Sequence, residues 1–244
     1  MKILTKIEIC NLLLSLNIKQ GMNLFIQSDL GLLGKIDGGI RGLLDNIISV
    51  VGPKSTLIFP SYTFNISDFD VVNAKPSVEI GSFTRYLWSN KIGKRTLHPI
   101  HSHIVIGHKE SIYTSQEKNY SFGVNSIFNE MDKDNFYWLV IGTTIEHVST
   151  YFHHIEALFG VPYREWISLD RKVIDYNNRK KIFRAEYYSR ILESENVYNF
   201  KMIYDNLISK GIIIKKNKFE IANFKNIRSE TIIHLKNNPN LFRY

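Results

Sequence analysis

His153 and Glu156 stand three residues apart in the stretch Ser149-Thr150-Tyr151-Phe152-His153-His154-Ile155-Glu156, which runs on from Ala157 to Arg164. The stretch reads as a short amphipathic helix, and residues three apart on a helix are neighbours. An imidazole held by a carboxylate has its tautomer fixed and becomes a base that works near neutral pH. The adjacent His154 points elsewhere. A His–Glu pair on a helix is also a common structural or solvated contact, so the spacing alone leaves both readings open.

A second constellation, Arg95-Thr96-Leu97-His98-Pro99-Ile100-His101-Ser102-His103, places three histidines within six positions. The spacing is not that of a zinc site, and Pro99 makes the segment extended rather than helical. It reads instead as a rigid loop, in which Ser102 is a candidate donor to a substrate carbonyl or thioester. Gly31, Gly34, Gly38 and Gly39 follow an apolar run and open a helix, a geometry that brings backbone N–H groups to a phosphate. They form neither Gly-x-Gly-x-x-Gly nor a Gly-Lys-Ser/Thr loop, so a tight turn explains them as well. No Gly-x-Ser-x-Gly elbow supports a serine nucleophile. The pyrophosphate cradle of the common acetyltransferases is missing too.

The elements that must hold these groups alternate between strand and helix. Residues 5–18 predict a helix with Thr5 as N-cap and Glu8 three residues on. Asn23–Ser28 reads as a strand, 29–37 as a loop, and Gly38–Val50 as a helix. Ser55–Pro60 is a strand apolar enough to be covered on both faces, which completes a βαβ unit. An irregular stretch from 65 to 80 precedes a short helix near 81–90. Residues 103–107 and 136–142 predict buried strands, and 169–187 a hairpin turning at Asn177-Asn178. A helix over 198–210 ends at Gly211, a second hairpin pairs 212–215 with 219–223, and a last helix covers about 226–236. The reading is an α/β fold forming one domain over 1–244, since no linker, repeat or low-complexity tract interrupts the chain.

Of 244 residues, 44% are hydrophobic, enough for a proper core. The lone Cys10 excludes an internal disulfide and cannot build a zinc site by itself; its expected place is inside a helix. No apolar run approaches a membrane span, and the N-terminus does not read as a signal peptide, so a cytoplasmic protein is expected. Residues 1–160 hold 14 Lys+Arg against 14 Asp+Glu, and residues 161–244 hold 17 against 9, which accounts for the whole net charge of +8. A basic C-terminal third suits an anionic partner, or is merely a solvated surface. Nucleic-acid binding would rest on this charge and on Tyr176, Phe183, Tyr187 and Tyr188, without any recognition-motif spacing.

In order along the chain, the pieces resemble the aminoglycoside 3-N-acetyltransferase family. The resemblance is carried by Gln27-Ser28-Asp29-Leu30-Gly31-Leu32-Leu33-Gly34 with Gly38-Gly39, then Val51-Gly52, Ile58-Phe59-Pro60-Ser61-Tyr62-Thr63 and Gly81-Ser82-Phe83. It continues through Arg95–Ser102, Phe122-Gly123-Val124-Asn125-Ser126 and the Thr-x-x-His-x-x-Glu element Thr150–Glu156. It covers residues 20–165 well and the remainder loosely. Asp29 departs from it, since Ser is common there.

This resemblance implies the family's central mixed sheet flanked by helices. It also implies acetyl transfer from acetyl-CoA, without a metal, to an amine of an amino sugar. His153 would be the base and Glu156 the group that orients it. Ser28, Leu32, Leu33, Gly34, Lys35, His98 and Ser102 would meet the CoA thioester, with the N–H groups of 32–34 and the Ser102 hydroxyl as oxyanion donors. Tyr62, Thr63, Asn65 and Ser126 would meet the acceptor. Expected partners are thus small molecules, with no nucleic acid and no membrane, and a homodimer is admitted. Pockets for polycationic aminoglycosides should be acid-rich, so the basic C-terminal third tilts the reading to a nucleotide-linked amino sugar used in surface-polysaccharide synthesis. An aminoglycoside acceptor, as in antibiotic resistance, is the alternative. A non-catalytic nucleotide- or RNA-binding domain is a further one, and a zinc hydrolase a distant third.

Overall fold

The computed structural model describes residues 3–64, 80–191 and 198–243, and begins with strand β1 (Ile3–Leu4) and helix α1 (Lys6–Ser15). Thr5 and Glu8 form the anticipated capping box: the Thr5 hydroxyl accepts from the Glu8 N–H, and the Glu8 carboxylate accepts from the Thr5 N–H at 2.9 Å. Strand β2 (Leu24–Ser28) is followed by a 3-10 turn at Leu30–Leu32 and strand β3 (Lys35–Ile36), which pairs in parallel with β1. The expected loop over 29–37 is therefore partly ordered structure. A two-residue strand carries no periodicity by which a sequence could announce it.

Helix α2 (Gly39–Val51), strand β4 (Thr56–Pro60), helix α3 (Ser82–Ser89) and strands β5 (Lys94–Arg95) and β6 (His103–Gly107) come next. Helices α4 (Glu110–Ser115) and α5 (Ile127–Lys133) precede strand β7 (Tyr137–Ile141), and α6 (Ile145–Val148) precedes α7 (Thr150–Phe159). The chain closes with strands β8 (Arg164–Ile174) and β9 (Lys180–Arg190), helix α8 (Lys201–Ser209), strands β10 (Ile213–Lys216) and β11 (Phe219–Asn223), and helix α9 (Phe224–Asn237). The first hairpin starts five residues earlier than expected, at Arg164. Helix α9 starts at Phe224 because the Asn223 side chain caps it. Helices α4 to α6 were not expected; at four to seven residues they are too short for a 3.6-residue period to register.

The main sheet has the order β10-β11-β7-β2-β4-β6-β5. The three central strands run parallel, while β6 and β11 join them antiparallel and extend the sheet to its antiparallel edges. Each central strand is apolar through its middle because both faces are covered there. Leu24, Ile26, Leu57, Phe59, Leu139 and Ile141 face α1, α2 and α3, whereas Phe25, Ile58, Trp138 and Val140 face α5, α7, α8 and α9. This is the twofold alternation of a strand, with core on either side. The β8–β9 hairpin forms its own two-stranded sheet and shelters Val173, Phe183 and Ala185 against Leu97. Among the described residues no helix is long and apolar enough to cross a membrane.

Candidate active site

The carboxyl ends of the parallel strands β2 and β4 open into a cavity of about 350 Å³. This is the position at which open α/β sheets bind ligands. Gln27 and Ser28 at the end of β2, and Pro60 and Tyr62 at and after β4, line one side. His101 and Phe122 come from loops, His147, Val148, Thr150 and His153 from the α6–α7 region, and Arg164, Tyr187 and Arg190 from the hairpin. Gly142, just past β7, has φ +82° and sits where any Cβ would strike the Asp29 carbonyl, so the loop leaving β2 can close against it.

Helix α7 aims the central pair. Ser149 separates it from α6 with φ 30°, a left-handed value uncommon outside glycine, and Gly160 ends it at φ 78° with its N–H donating to the Glu156 carbonyl. His153 Nδ1 lies 2.6 Å from Glu156 Oε2 and 2.9 Å from Arg164 Nη2; a carboxylate oxygen can only accept, so the shorter contact puts the ring proton on Nδ1. Glu156 is fully buried; its Oε1 accepts from the Tyr163 hydroxyl at 2.8 Å, and Arg164 Nε stands 3.0 Å from Oε2. Burial opposes the Glu156 charge, but His153, Arg164 and Tyr163 together hold its pKa below the ordinary value. Burial also lowers the pKa of His153, with Glu156 working against the shift and Arg164 and Arg190 reinforcing it. The result is a neutral imidazole over an ionised carboxylate, 21% exposed, with Nε2 as the ring nitrogen left for chemistry.

His154 has a different fate. The Gly123 N–H donates to its Nδ1 at 3.0 Å, so the proton lies on Nε2, which is 3.3 Å from Asp132 Oδ2. Asp132 also accepts from the Tyr151 hydroxyl at 2.5 Å and pairs with Arg228. His154 is fully buried, and both its nitrogens are engaged.

The loop expected to serve the thioester is mostly internal scaffolding. Arg95 is buried; its Nε donates to Ser102 Oγ at 2.8 Å and its Nη2 to Thr63 Oγ1 at 2.6 Å. The Ser102 hydroxyl in turn donates to the Ser61 carbonyl at 2.8 Å. Ser102 and Thr63 therefore clamp the end of β4 to the start of β6 and do not line the cavity. His98 is also buried behind the lining, where Nδ1 accepts from the N–H groups of Ile100 and His101, and burial pushes its pKa down to about 3. Ser126 caps α5 and donates to the Gly123 carbonyl at 2.7 Å.

Of the residues anticipated from the sequence, the fold thus brings Ser28, Tyr62 and His153 to the cavity, with Glu156 directly behind His153. The N–H groups of Leu32 and Leu33 donate within the 3-10 turn, to the carbonyls of Asp29 and Leu30, and are not free for an oxyanion. Leu32 and Lys35 are exposed and Leu33 and Gly34 half-buried on the loop that leaves Ser28, away from the cavity lining. Asn65 lies outside the described residues. The sequence reading missed Gln27, Thr150, His101, Arg164 and Arg190 as lining residues. Gln27 had a signal, a polar residue at the end of an otherwise apolar strand; the two arginines had none, because they reach the site from a hairpin that could have packed anywhere. Cys10 is half-buried in α1, with its thiol 3.7 Å from Asn46 Oδ1. Among the described residues no three His, Cys, Asp or Glu side chains gather as a metal-holding group.

The chain matches the family described as aminoglycoside 3-N-acetyltransferase over residues 25–238. It is 25% identical to the SPbeta prophage-derived aminoglycoside N(3')-acetyltransferase-like protein YokD of Bacillus subtilis (strain 168), over 81% of this chain and 83% of that protein. Its fold superposes on a structure of AAC-IIIb binary with CoASH at a TM-score of 0.83 and 14% identity, covering 97% of each chain. AAC-VIa bound to sisomicin superposes at 0.81 and 16% identity, over 96% of this chain and 97% of that one. The chain belongs to the aminoglycoside 3-N-acetyltransferase family, acyltransferases whose acetyl donor is acetyl-CoA.

Proposed function

We propose that the chain acetylates an amine of an aminoglycoside-type amino sugar, with His153 as general base. One observation carries this reading: Glu156 takes the Nδ1 proton of His153 and leaves Nε2 for the cavity. The neutral amine attacks the thioester carbonyl, the C–N bond forms, and His153 Nε2 takes the proton from nitrogen. Glu156 stabilises the imidazolium that results. When the tetrahedral adduct collapses, the C–S bond breaks, and the same proton serves the departing thiolate. The cavity volume falls in the range of small-molecule sites. We place the thioester beside Ser28, with the exposed loop through Lys35 on the CoA side and Tyr62 on the acceptor side.

The nucleotide-linked acceptor favoured by the charge map is replaced here by its alternative. The named relatives are aminoglycoside acetyltransferases or are likened to them, and one is bound to sisomicin. The charge map weighs less than it did in the sequence, for a physical reason. Part of the C-terminal positive excess neutralises carboxylates of the first 160 residues: Arg164 meets Glu156, Lys181 meets Glu117, and Arg228 meets Asp132. Each of these charges already has a carboxylate partner, although Arg164 also lines the cavity. The test is thiol release from acetyl-CoA with kanamycin, gentamicin and sisomicin, against UDP- and dTDP-linked amino sugars. Turnover on the nucleotide sugars alone would overturn the proposal.

A further inference from the structure

His101 is the one imidazole at the cavity besides His153 and His147 that the family's His-x-x-Glu element leaves without a role. It is 6% exposed, and its ring stacks on Tyr187 at 5.5 Å. Phe122 lies between the two buried-side histidines, with ring centroids 5.0 Å from His101 and 5.9 Å from His153. His101 thus faces the same reaction space from the opposite side of that ring.

Its tautomer follows from a chain of hydrogen bonds. His98 Nδ1 accepts two backbone N–H groups, from Ile100 at 3.2 Å and His101 at 2.9 Å, so the His98 proton is on Nε2. That protonated Nε2 stands 3.4 Å from Ser121 Oγ and is also hydrogen-bonded to the Asn119 backbone, so it cannot accept from the Ser121 hydroxyl. The Ser121 hydroxyl then directs its own proton to its remaining partner, His101 Nδ1, at 2.8 Å. With Nδ1 accepting, the neutral His101 ring carries its proton on Nε2. Burial chiefly, with the neighbouring His98, His103 and His153 adding to it, lowers the pKa of this ring well below 6.5 and keeps it neutral. Among the described residues the ring is bonded at Nδ1, to Ser121, and at the cavity wall Nε2–H is the donor left to meet a ligand.

We propose that His101 Nε2–H donates to the carbonyl oxygen of the acetyl thioester and holds the negative charge that develops there, with Ser121 and His98 as positioning residues that set its tautomer. This inference rests on the acetyl-transfer reading above. When the amine adds to the carbonyl carbon, the C=O π pair moves onto oxygen and is met by this N–H; on collapse the pair returns as the C–S bond breaks. A neutral donor suits the step because its proton stays on nitrogen throughout, leaving proton transfer to His153. The hydroxyl of Ser102, the donor anticipated from the sequence, is already spent on the Ser61 carbonyl.

Two measurements decide it. In 15N-imidazole NMR of the wild-type protein at neutral pH, His101 should show a protonated Nε2 and an unprotonated Nδ1. Its Nε2–H resonance should shift on adding acetyl-CoA and move much less with free CoA, which has a thiol in place of the acetyl thioester. An Nδ1–H tautomer, or equal responses to the two compounds, would overturn the proposal. In steady-state kinetics, His101→Ala should lose about 10²–10³-fold in kcat with little change in either KM, the usual loss for one oxyanion donor. His101→Gln, which keeps an N–H near the same place, should exceed His101→Ala by tenfold or more. A rise in acceptor KM at unchanged kcat, or equal kcat in the two variants, would sink the assignment. If the wild-type protein releases no thiol with any amine, the acceptor reading fails, and the NMR comparison still decides the role of His101.

Discussion

Helix α7 carries two histidine–carboxylate pairs side by side, and only one of them faces the cavity. His153 meets Glu156 one helical turn along, whereas His154 meets Asp132 from another helix, 22 residues away. Both carboxylates are buried, and burial lowers the pKa of both rings. What separates the pairs is the second ring nitrogen. In His154 it is closed by the Gly123 N–H; in His153 it belongs to a residue that lines a cavity. A histidine beside a carboxylate is therefore a base only if the fold leaves it a free nitrogen with room for a substrate.

Breaking the first pair should have the largest effect. His153→Ala should lower kcat by about 10²–10⁴-fold in a thiol-release assay, the range for a general base. Near-wild-type turnover would exchange the roles of the two histidines. Glu156→Gln should cost about 10²-fold or more, because an amide N–H facing Nδ1 favours the tautomer with the proton on Nε2. The acid limb of kcat/KM sharpens the same point. Since burial lowers the His153 pKa, wild-type activity should fall only below pH 6.5, and loss of the Glu156 charge, which raises that pKa, should move the limb lower still.

Breaking the second pair should act on stability instead. His154→Ala leaves Asp132 buried beside Arg228 and Tyr151 with one partner fewer, and should cost about 1–3 kcal/mol in urea unfolding, as loss of a buried hydrogen-bond partner does. Turnover per folded molecule should stay within tenfold of wild type; a loss as large as that of His153→Ala would erase the distinction. Acid should reveal the same contrast. His98 and His103 are pushed down to about 3, and His101 and His154 are also lowered, all chiefly by burial. The unfolded chain takes up these protons near pH 6.5 and the folded chain does not. Stability should therefore fall as pH drops below 6.5, by about 1.4 kcal/mol per pH unit for each such histidine. A flat unfolding free energy between pH 7 and 5 would contradict the buried neutral rings. The smallest effect is expected at Ser102→Ala: about 1–3 kcal/mol of stability from the disturbed Arg95 cluster, with kcat unchanged.

The parts of the site legible in the sequence are those made within one element. Thr5 and Glu8 cap α1 because they are three residues apart, and His153 reaches Glu156 for the same reason. The central strands declare themselves as apolar runs, since burial on both faces removes the polar half of the alternation. Short helices α4 to α6 and the β1–β3 pair had too few residues to show a period. The histidine-rich loop illustrates a different limit: its residues suggested a thioester pocket, but Arg95 turns Ser102 and Thr63 inward and leaves His101 at the wall.

By itself the sequence determined the α/β class, the order of its main elements, the family and the His153–Glu156 contact. All of these depend on patterns a few residues long, or on motifs read in order. The tertiary structure decided that His154 is closed on both nitrogens, that Ser102 is scaffolding, and that Arg164 and Arg228 meet buried carboxylates. For His154, Ser102, Arg164 and Arg228 the deciding partners lie between 7 and 96 residues away, Arg95 with Ser102 and Arg228 with Asp132 at the extremes. Only the packing of strands and helices brings such partners together, and a side chain's chemistry is set by whichever partner burial leaves it.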